Sequence, residues 1–352
     1  MVGSPTARWD VVVPARTAQP AAPALPVLPP VVLAHDVPLH VVRARVRSGR
    51  WTRVRPGAYV ETRDIEAQDP GAVGRPAATA RAARRTDPVR LALARMAAVV
   101  AQGRERGAEP VLVHASAALA QGLTLWSAPL RTHVARASVP GAGAAADLAV
   151  HRIPVTPDEI VVLRGTHVTN LVRTAVDIAR KGDPRAGVVV LDQALRAGAA
   201  RESLLEEIAR HPGGRGVRTA RELVDLADDG AESPWESWAR LHALAAGLPR
   251  PVTQHPVVTR AGQFFPDLAW PEHRVAAEFD GRVKYTRLAD GDPSAVVVAE
   301  KAREDAIRAE GWTVVRATAD DLRSGVFAAR LVAAFPTVVR RALSPRPHLV
   351  LR

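Results

Sequence analysis

Three carboxylates stand in an apolar part of the sequence, where a chain building only a hydrophobic core would carry none. Asp267 follows a proline, and Glu278 and Asp280 come at the end of an apolar run that begins at Val275. Phosphodiester hydrolysis needs a hard divalent cation that neutralises developing charge and lowers the pKa of the attacking water. Mg²⁺ takes oxygen ligands, typically one or two carboxylates with water and phosphate oxygens. The pattern predicts a Mg²⁺ or Mn²⁺ site with Asp267, Glu278 and Asp280 as ligands and Glu236 nearby.

A lysine within reach of these acids would orient or activate the attacking water. If the strand persists through Gly281, alternation places Lys284 on the same face as Glu278 and Asp280. Glycine inside a strand often marks a bulge, and a bend there would give the role to Lys301 on the next helix instead. The alternative for both lysines is a solvated surface position.

The acids fall in a segment whose predicted elements follow the order helix, three strands, helix, strand. Ser233-Pro234 is typical of a helix start, and that helix runs to Gly247 with Glu236 in its first or second turn. Two β-prone pieces, "PVTQHPVV" and "QFFPDLAW", predict a hairpin with Asp267 on its second strand. The third strand carries the other two acids. A helix from about residue 295 to residue 310 and the strand "GWTVVRAT" then complete a mixed sheet flanked by helices.

The N-terminal region contains a run of arginines without an acid. Between Leu39 and Val60 the pattern predicts a helix to Arg47 and then two short strands, which is the end of a winged helix-turn-helix. Such a basic surface suits the phosphate backbone of DNA. The candidate DNA-binding residues are Arg43, Arg45, Arg47, Arg50, Arg53 and Arg55. A solvated basic face beside a hairpin used for protein contacts is the alternative.

The whole chain predicts an α+β or mixed α/β protein. We expect a disordered or extended Pro/Ala-rich tail over residues 1–30, a winged-helix-like element over 31–62 and a linker over 63–90. A mixed α/β middle domain is expected over 91–228, the acid-bearing domain over 229–335 and a C-terminal tail over 336–352.

Two motifs in the middle region resemble chemical sites only in part. The stretch "HPGGRGVR" lacks the Gly-Lys-Ser/Thr ending of a phosphate-binding loop, so it predicts a turn between helices. His114 and Ser116 have the residue types of nucleophilic catalysis, but no third partner is identifiable. Capping of a helix N-terminus is the favoured interpretation.

Composition narrows the class of partner. Lys plus Arg number 48 and Asp plus Glu number 36, which gives a formal charge of +12, nearly all of the cations being Arg. Nucleic acid is the expected polyanion, although an Arg-rich, Lys-poor chain also accompanies a high-GC genome. The absence of cysteine excludes disulfides, thiolate metal sites and a thiol nucleophile. No apolar run is long enough for a membrane span and no signal peptide is indicated, so we expect a cytoplasmic protein without a membrane partner.

The C-terminal third resembles the domain related to very-short-patch-repair endonucleases, a branch of the PD-(D/E)XK nuclease superfamily. The matching stretches include "PWES", "FPDLAWPEHRVAAEFDGRVKY" and "EKAREDAIRAEGWTVVR". In this resemblance Asp267 is the first acid of the motif, Glu278 the second, and Glu236 the glutamate of the first helix. Asp280 occupies the place of the usual lysine, and Lys284 stands where relatives often carry a histidine. The resemblance implies a PD-(D/E)XK-like sheet with either a variant or a degenerate site.

Upstream stretches such as "RSGRWTRVRPGAYV", "HASAALAQGL" and "VTNLVRTAVDIAR" resemble actinobacterial AbiEi-type antitoxins of type IV toxin–antitoxin systems. In that family a winged-helix N-terminus binds operator DNA, and a cognate toxin is encoded in the same operon. The resemblance implies two function classes, a Mg²⁺-dependent endonuclease acting on DNA and a non-catalytic antitoxin-like regulator. Asp267 with Glu278 favours the first, and Asp280 in the lysine position favours the second. A protein-binding scaffold is a third class, which the arginine run disfavours.

Overall fold

The computed structural model describes residues 23–67, 85–136, 145–181, 183–280 and 293–350, with side chains from residue 301 onward in the last range. The fold is mixed α+β, with several small sheets and helices packed between them. None of the helices in these ranges is both long and apolar enough to cross a bilayer.

A three-stranded antiparallel sheet and one helix form the N-terminal part. The sheet order is β1-β3-β2. Its elements are β1 (Val32–Leu33), α1 (Leu39–Arg47), β2 (Trp51–Arg55) and β3 (Ala58–Glu61). The helix and the two following strands predicted from the arginine run are therefore present. Val42 is the buried residue of α1, so most of this helix faces outward.

The helix after this sheet begins within the predicted linker. Helix α2 (Pro88–Glu105) starts where Asp87 accepts hydrogen bonds from the backbone N–H groups of Val89 and Arg90 and a proline occupies the first turn. Residues 68–84, most of the predicted linker, lie outside the described residues. Ala94 and Ala98 of α2 pack against the buried face of the N-terminal sheet. This contact joins the N-terminal element to the middle of the chain.

The middle of the chain contains a five-stranded mixed sheet of order β6-β5-β4-β8-β7. Its strands are β4 (Val111–Leu112), β5 (Thr132–Ala135), β6 (Leu148–His151), β7 (Ile160–Leu163) and β8 (Thr166–Thr169). Helix α3 (His114–Ala120) follows β4 directly and packs with α2 against this sheet. Of the predicted N-terminal tail, the described residues Pro23–Pro30 include Leu28, which packs against the same core.

A layer of helices follows and shares its hydrophobic core with the C-terminal sheet. These helices are α4 (Leu171–Ala179), α5 (Pro184–Arg196), α6 (Arg201–Ala209), α7 (Val217–Leu226) and α8 (Pro234–Ala245). The "HPGGRGVR" stretch is the predicted turn, and Gly216 at its end has φ of 77° as the residue before α7. Asp192 of α5 and Arg240 of α8 form a fully buried ion pair at 2.6 Å. The predicted domain boundary at residues 228 and 229 therefore falls inside one continuous core.

Two small sheets make up the C-terminal part. β9 (Val257–Thr259) and β10 (Gly262–Phe264) form a hairpin. β11 (Leu268–Trp270), β12 (Val275–Phe279) and β13 (Thr313–Ala317) form a sheet of order β11-β12-β13, with β11 antiparallel and β13 parallel to β12. Helix α9 (Pro293–Ala309) connects β12 to β13.

The placement of Asp267 on the second hairpin strand was wrong. Asp267 lies between β10 and β11, and β11 belongs to the other sheet. Pro266 has no N–H for a strand ladder, which favours a break at this point. The chain then enters β11, whose Leu268, Ala269 and Trp270 are all buried.

Part of the predicted C-terminal tail is helical, and part of it contacts the core. Helices α10 (Ala319–Ser324), α11 (Val326–Ala334) and α12 (Thr337–Arg341) follow β13. Beyond them, the backbone N–H of Arg346 donates to the carbonyl of Ala245 at 2.7 Å. Leu349 is 0% exposed in the core around α8. The segment that contains Arg346 and Leu349 therefore packs against the C-terminal end of α8.

Candidate functional site

Asp267 and Glu278 lie next to the last pair of the β11–β12 ladder. Leu268 pairs with Ala277 in this antiparallel ladder, so the next positions along are Asp267 and Glu278. Directly opposite residues of an antiparallel pair project from the same face with their Cβ atoms about 5 Å apart. The carboxylate of Asp267 also accepts a hydrogen bond from the backbone N–H of Phe279 at 2.6 Å. Sheet pairing thus brings together the two acids that the sequence placed eleven positions apart.

Two arginines, which sequence reasoning missed, contact Glu278. Arg303 of α9 donates from Nη2 to Glu278 Oε1 at 2.8 Å and to the carbonyl of Phe265 at 3.2 Å. Its guanidinium also lies over the ring of Phe264, 5.6 Å from the centroid. Arg316 of β13 is the parallel partner of Glu278, and its Nη2 lies 3.9 Å from Glu278 Oε2. Among the described residues, two arginines, one from α9 and one from β13, therefore lie beside Glu278.

Asp280 lies one residue beyond β12, where the ladder with β13 still holds its backbone. Its N–H donates to the carbonyl of Ala317 at 2.8 Å, and its Oδ2 lies 3.8 Å from Arg316 Nη1. The Nε of Arg316 forms an ion pair with Glu304 Oε2 at 2.9 Å. Arg316 therefore lies close to the carboxylates of Glu278, Asp280 and Glu304, and its positive charge attracts all three.

Glu236 lies in the first turn of α8, as the sequence predicted. Its Oε2 accepts a hydrogen bond from the backbone N–H of Glu232 at 2.7 Å, and its own N–H donates to Ser233 Oγ at 3.2 Å. The adjacent Trp235 stacks on Phe279, with ring centroids 5.0 Å apart and planes 5° from parallel. This stacking places the start of α8 beside the end of β12, while the Glu236 carboxylate is bonded to the backbone just before its own helix.

Of the two candidate lysines, only Lys301 is among the residues that the structure describes. Lys284 and Gly281 lie outside the described residues. Lys301 is exposed on α9, two positions before Arg303. Since residues two apart on a helix do not share a face, Arg303 and Lys301 point in different directions. Arg303 is the α9 cation that contacts the site.

The donor set suits a hard divalent cation, because Asp267, Glu278 and Asp280 offer only carboxylate oxygens. In this structure those oxygens are held by arginine and backbone donors, and they do not form a group in which all three lie within 4.8 Å. Among the described residues, that spacing is met by His35, Asp36 and Glu105, which are all exposed. A metal ion bound by Asp267 and Glu278 would therefore have to displace the Arg303 guanidinium from the Glu278 carboxylate.

The six candidate DNA-binding arginines are not equivalent. Arg55 is 12% exposed and pairs with Asp147 Oδ2 at 3.2 Å, so it joins the hairpin to the middle of the chain. Arg45 is partly buried with its guanidinium 5.8 Å from the Trp51 ring centroid. The exposed members are Arg43, Arg47, Arg50 and Arg53.

Comparison with known proteins gives distant matches. No protein-family model matches the chain. The uncharacterised proteins MT2308 and Rv2248, from two strains of Mycobacterium tuberculosis, are each 36% identical over 162 residues, which is 45% of this chain. The chain spans 58% of the length of these curated relatives. The crystal structure of the Rv2827c protein from Mycobacterium tuberculosis is 20% identical, with a TM-score of 0.35 over 60% of this chain and 75% of that one.

Proposed function

We propose that this protein binds duplex DNA through its N-terminal element and hydrolyses phosphodiester bonds at the Asp267–Glu278 site with Mg²⁺. One observation supports the catalytic part: at the end of the β11–β12 ladder Asp267 accepts a hydrogen bond from the Phe279 backbone, and the neighbouring Glu278 accepts one from Arg303. In this account α1, β2 and β3 are the recognition helix and wing of a winged helix. The β11-β12-β13 sheet with α8 and α9 is the PD-(D/E)XK-like core.

Asp267 and Glu278 would hold the metal, with Asp280 as a further oxygen donor. When bound, Mg²⁺ would lower the pKa of a water molecule and neutralise charge on the phosphate. Arg303 holds Glu278 in place through its 2.8 Å hydrogen bond and brings a positive charge beside the acid pair. Arg316 brings a second positive charge from β13, 3.9 Å from Glu278 and 3.8 Å from Asp280. In this proposal these arginines supply positive charge beside Glu278, and Lys284 stays a further candidate.

The exposed arginines would contact DNA phosphates. Arg43 and Arg47 are one helical turn apart and therefore lie on one face of α1. Arg50 precedes β2 and Arg53 lies on it, so the basic surface continues from the helix onto the hairpin. Arginine suits this task because its planar group donates to two phosphate oxygens at once.

The test is conversion of supercoiled plasmid to nicked or linear DNA in Mg²⁺ and in Mn²⁺. Asp267→Asn removes a ligand charge with little change of shape, so we expect cleavage to fall by roughly a hundredfold or more. Asp305→Asn, an exposed acid of α9, is the matched control and should cleave like the wild type. Equal cleavage by wild type and Asp267→Asn would show that Asp267 is not part of the site.

A second candidate function follows from the partners of Glu278. Glu278 accepts a hydrogen bond from Arg303 at 2.8 Å and lies 3.9 Å from Arg316. These two arginines can neutralise its charge, so Glu278 needs no metal ion for that purpose. In that case the protein is a non-catalytic, antitoxin-like regulator that binds DNA, and a cognate toxin is its partner at the level of the operon. Wild-type protein that binds duplex DNA but cleaves in neither metal would favour this function over hydrolysis.

A further inference from the structure

The β9–β10 hairpin forms a two-stranded sheet of its own in the C-terminal part of the chain. Val257 packs with Ile307 of α9 and Val314 of β13 in a small core, and Phe264 packs against that core. Because Val257 and Phe264 are cross-strand partners, they project from one face of the hairpin. This inner face fixes the hairpin to α9 and β13.

The outer face of the hairpin is exposed although it carries an apolar side chain. Val258 and Gln263 are also cross-strand partners, one position along from the inner pair, so they share the outer face. Val258 is 72% exposed, and Gln263 is exposed as well. Phe265, which follows β10 directly, is 45% exposed. Since the solvated face of an antiparallel sheet commonly carries polar residues, these exposed apolar groups beside an amide indicate a surface that a partner covers.

The turn of the hairpin presents a cation in a fixed geometry. Arg260 and Ala261 are the turn residues between β9 and β10, and both are exposed. Thr259 Oγ1 accepts a hydrogen bond from the backbone N–H of Ala261 at 3.1 Å and donates to the carbonyl of Gly262 at 2.8 Å. The sequence from Pro256 to Pro266 contains no acid. The turn therefore offers positive charge on a preformed backbone, which lowers the entropy cost of binding a polyanion.

One arginine connects the end of the hairpin to the acid pair. Arg303 Nη2 donates to the carbonyl of Phe265 at 3.2 Å and to Glu278 Oε1 at 2.8 Å. Its guanidinium also lies 5.6 Å from the centroid of the Phe264 ring. Asp267 follows Phe265 by two positions. A DNA duplex with a phosphate at the acid pair would therefore pass close to the hairpin.

We propose that the outer face and the turn of the β9–β10 hairpin enter the major groove of duplex DNA and read base edges, an inference that rests on the proposed DNA binding but not on hydrolysis. Paired strands lie about 5 Å apart, so a two-stranded ribbon fits a major groove about 12 Å wide. The Gln263 amide donates and accepts at an adenine, Arg260 donates to a guanine, and Val258 contacts a thymine methyl group. The hairpin thus supplies base specificity, which the phosphate contacts of the N-terminal arginines do not carry.

The experiment measures binding of the full chain to duplex DNA by fluorescence anisotropy in EDTA, so that neither metal nor cleavage affects the result. The preferred sequence is first selected from a randomised duplex pool with the wild type. On the selected duplex, Gln263→Ala should weaken binding by roughly tenfold and lose the preference at one A·T position. Its salt dependence should equal that of the wild type, because the substitution removes no charge.

Val258→Glu places a carboxylate on the outer face and should weaken binding by roughly tenfold or more, because the groove is lined by phosphates. The matched control is Val338→Glu on α12, since Val338 is 75% exposed against 72% for Val258. This control should bind like the wild type. Circular dichroism shows whether each variant is folded.

Equal binding by Val258→Glu and Val338→Glu, or a wild type that selects no sequence, would overturn the role of the hairpin and leave the N-terminal contacts and the acid pair unaffected. A wild-type dimer that Val258→Glu dissociates, with DNA binding unchanged, would assign the outer face to a second copy of the chain instead. The expected effects of Gln263→Ala and Val258→Glu in a protein that never cleaves DNA would support the hairpin and contradict hydrolysis alone.

Discussion

At the scale of single residues, each acid of the candidate site already has a donor. Asp267 accepts from the Phe279 backbone at 2.6 Å and Glu278 from Arg303 at 2.8 Å. Hydrogen bonds from charged donors are stronger than neutral ones, so a metal must compete with Arg303 for Glu278. In the proposed function, arginine and metal compete for the acid pair, and DNA phosphates entering the site would attract Arg303 away from Glu278.

Acid pH should destabilise the protein through His242, a buried histidine of α8. Burial lowers the pKa of His242 to about 4, and its Nε2 has no partner in the structure. The unfolded chain binds this proton at higher pH than the folded chain does, so the stabilisation present above the unfolded value of 6.5 is lost as pH falls toward 4. Between pH 7 and pH 5 we expect a loss of about 2 kcal/mol from this group.

Urea unfolding of wild type and His242→Leu at the two pH values measures this loss. The variant should lack that part of the pH dependence, because leucine does not titrate. The difference between the two proteins isolates His242 from other groups. An identical change in unfolding free energy for both proteins would contradict the assignment.

At the scale of elements, local sequence signals predicted α1 and the β2–β3 hairpin, because an amphipathic run, a Ser-Gly stop and a Pro-Gly turn lie within a few residues of each other. They did not predict the partners of Glu278. Arg303 and Arg316 reach it only because α9 carries the chain across and β13 pairs in parallel with β12. Asp267 was misplaced for the same reason, since the change of sheet after Pro266 depends on long-range pairing. The sequence thus suggests the candidate acids, but it does not indicate that Arg303 and Arg316 contact Glu278.

The N-terminal element should bind duplex DNA with a salt dependence set by its exposed arginines. Each phosphate contact contributes about −0.9 to the slope of log K against log salt. Arg43→Ala with Arg47→Ala should weaken binding and make the slope shallower by roughly two units, as measured by fluorescence anisotropy at several salt concentrations. Arg55→Ala is the comparison, because its guanidinium pairs with Asp147 at 3.2 Å and should leave the slope unchanged. The same slope in the Arg43 and Arg47 variant as in the wild type would exclude α1 as the contact surface.

At the scale of the whole molecule, the regions predicted as separate domains are physically joined. Arg55 pairs with Asp147, α2 covers the N-terminal sheet, and the α5–α8 core continues into β11, β12 and β13. Composition and Gly/Pro signals predict domain boundaries at places where the chain turns. They do not show that side chains far apart in sequence pack into one hydrophobic core across such a boundary. The part of the chain that carries the acid site and the part that carries the basic surface are therefore linked by contacts among the described residues.

In the proposed function, one acid pair hydrolyses DNA that the N-terminal arginines hold. The initial rate of plasmid cleavage in Mg²⁺, measured as a function of plasmid concentration, separates these two roles. Asp267→Asn should lower kcat by roughly a hundredfold or more with little change in KM, since the charge it removes acts on the reacting phosphate. The variant lacking the arginines at positions 43 and 47 should raise KM and leave kcat nearly unchanged. Wild-type protein that binds the plasmid without cleaving it, or an Asp267→Asn variant with the wild-type kcat, would contradict the account.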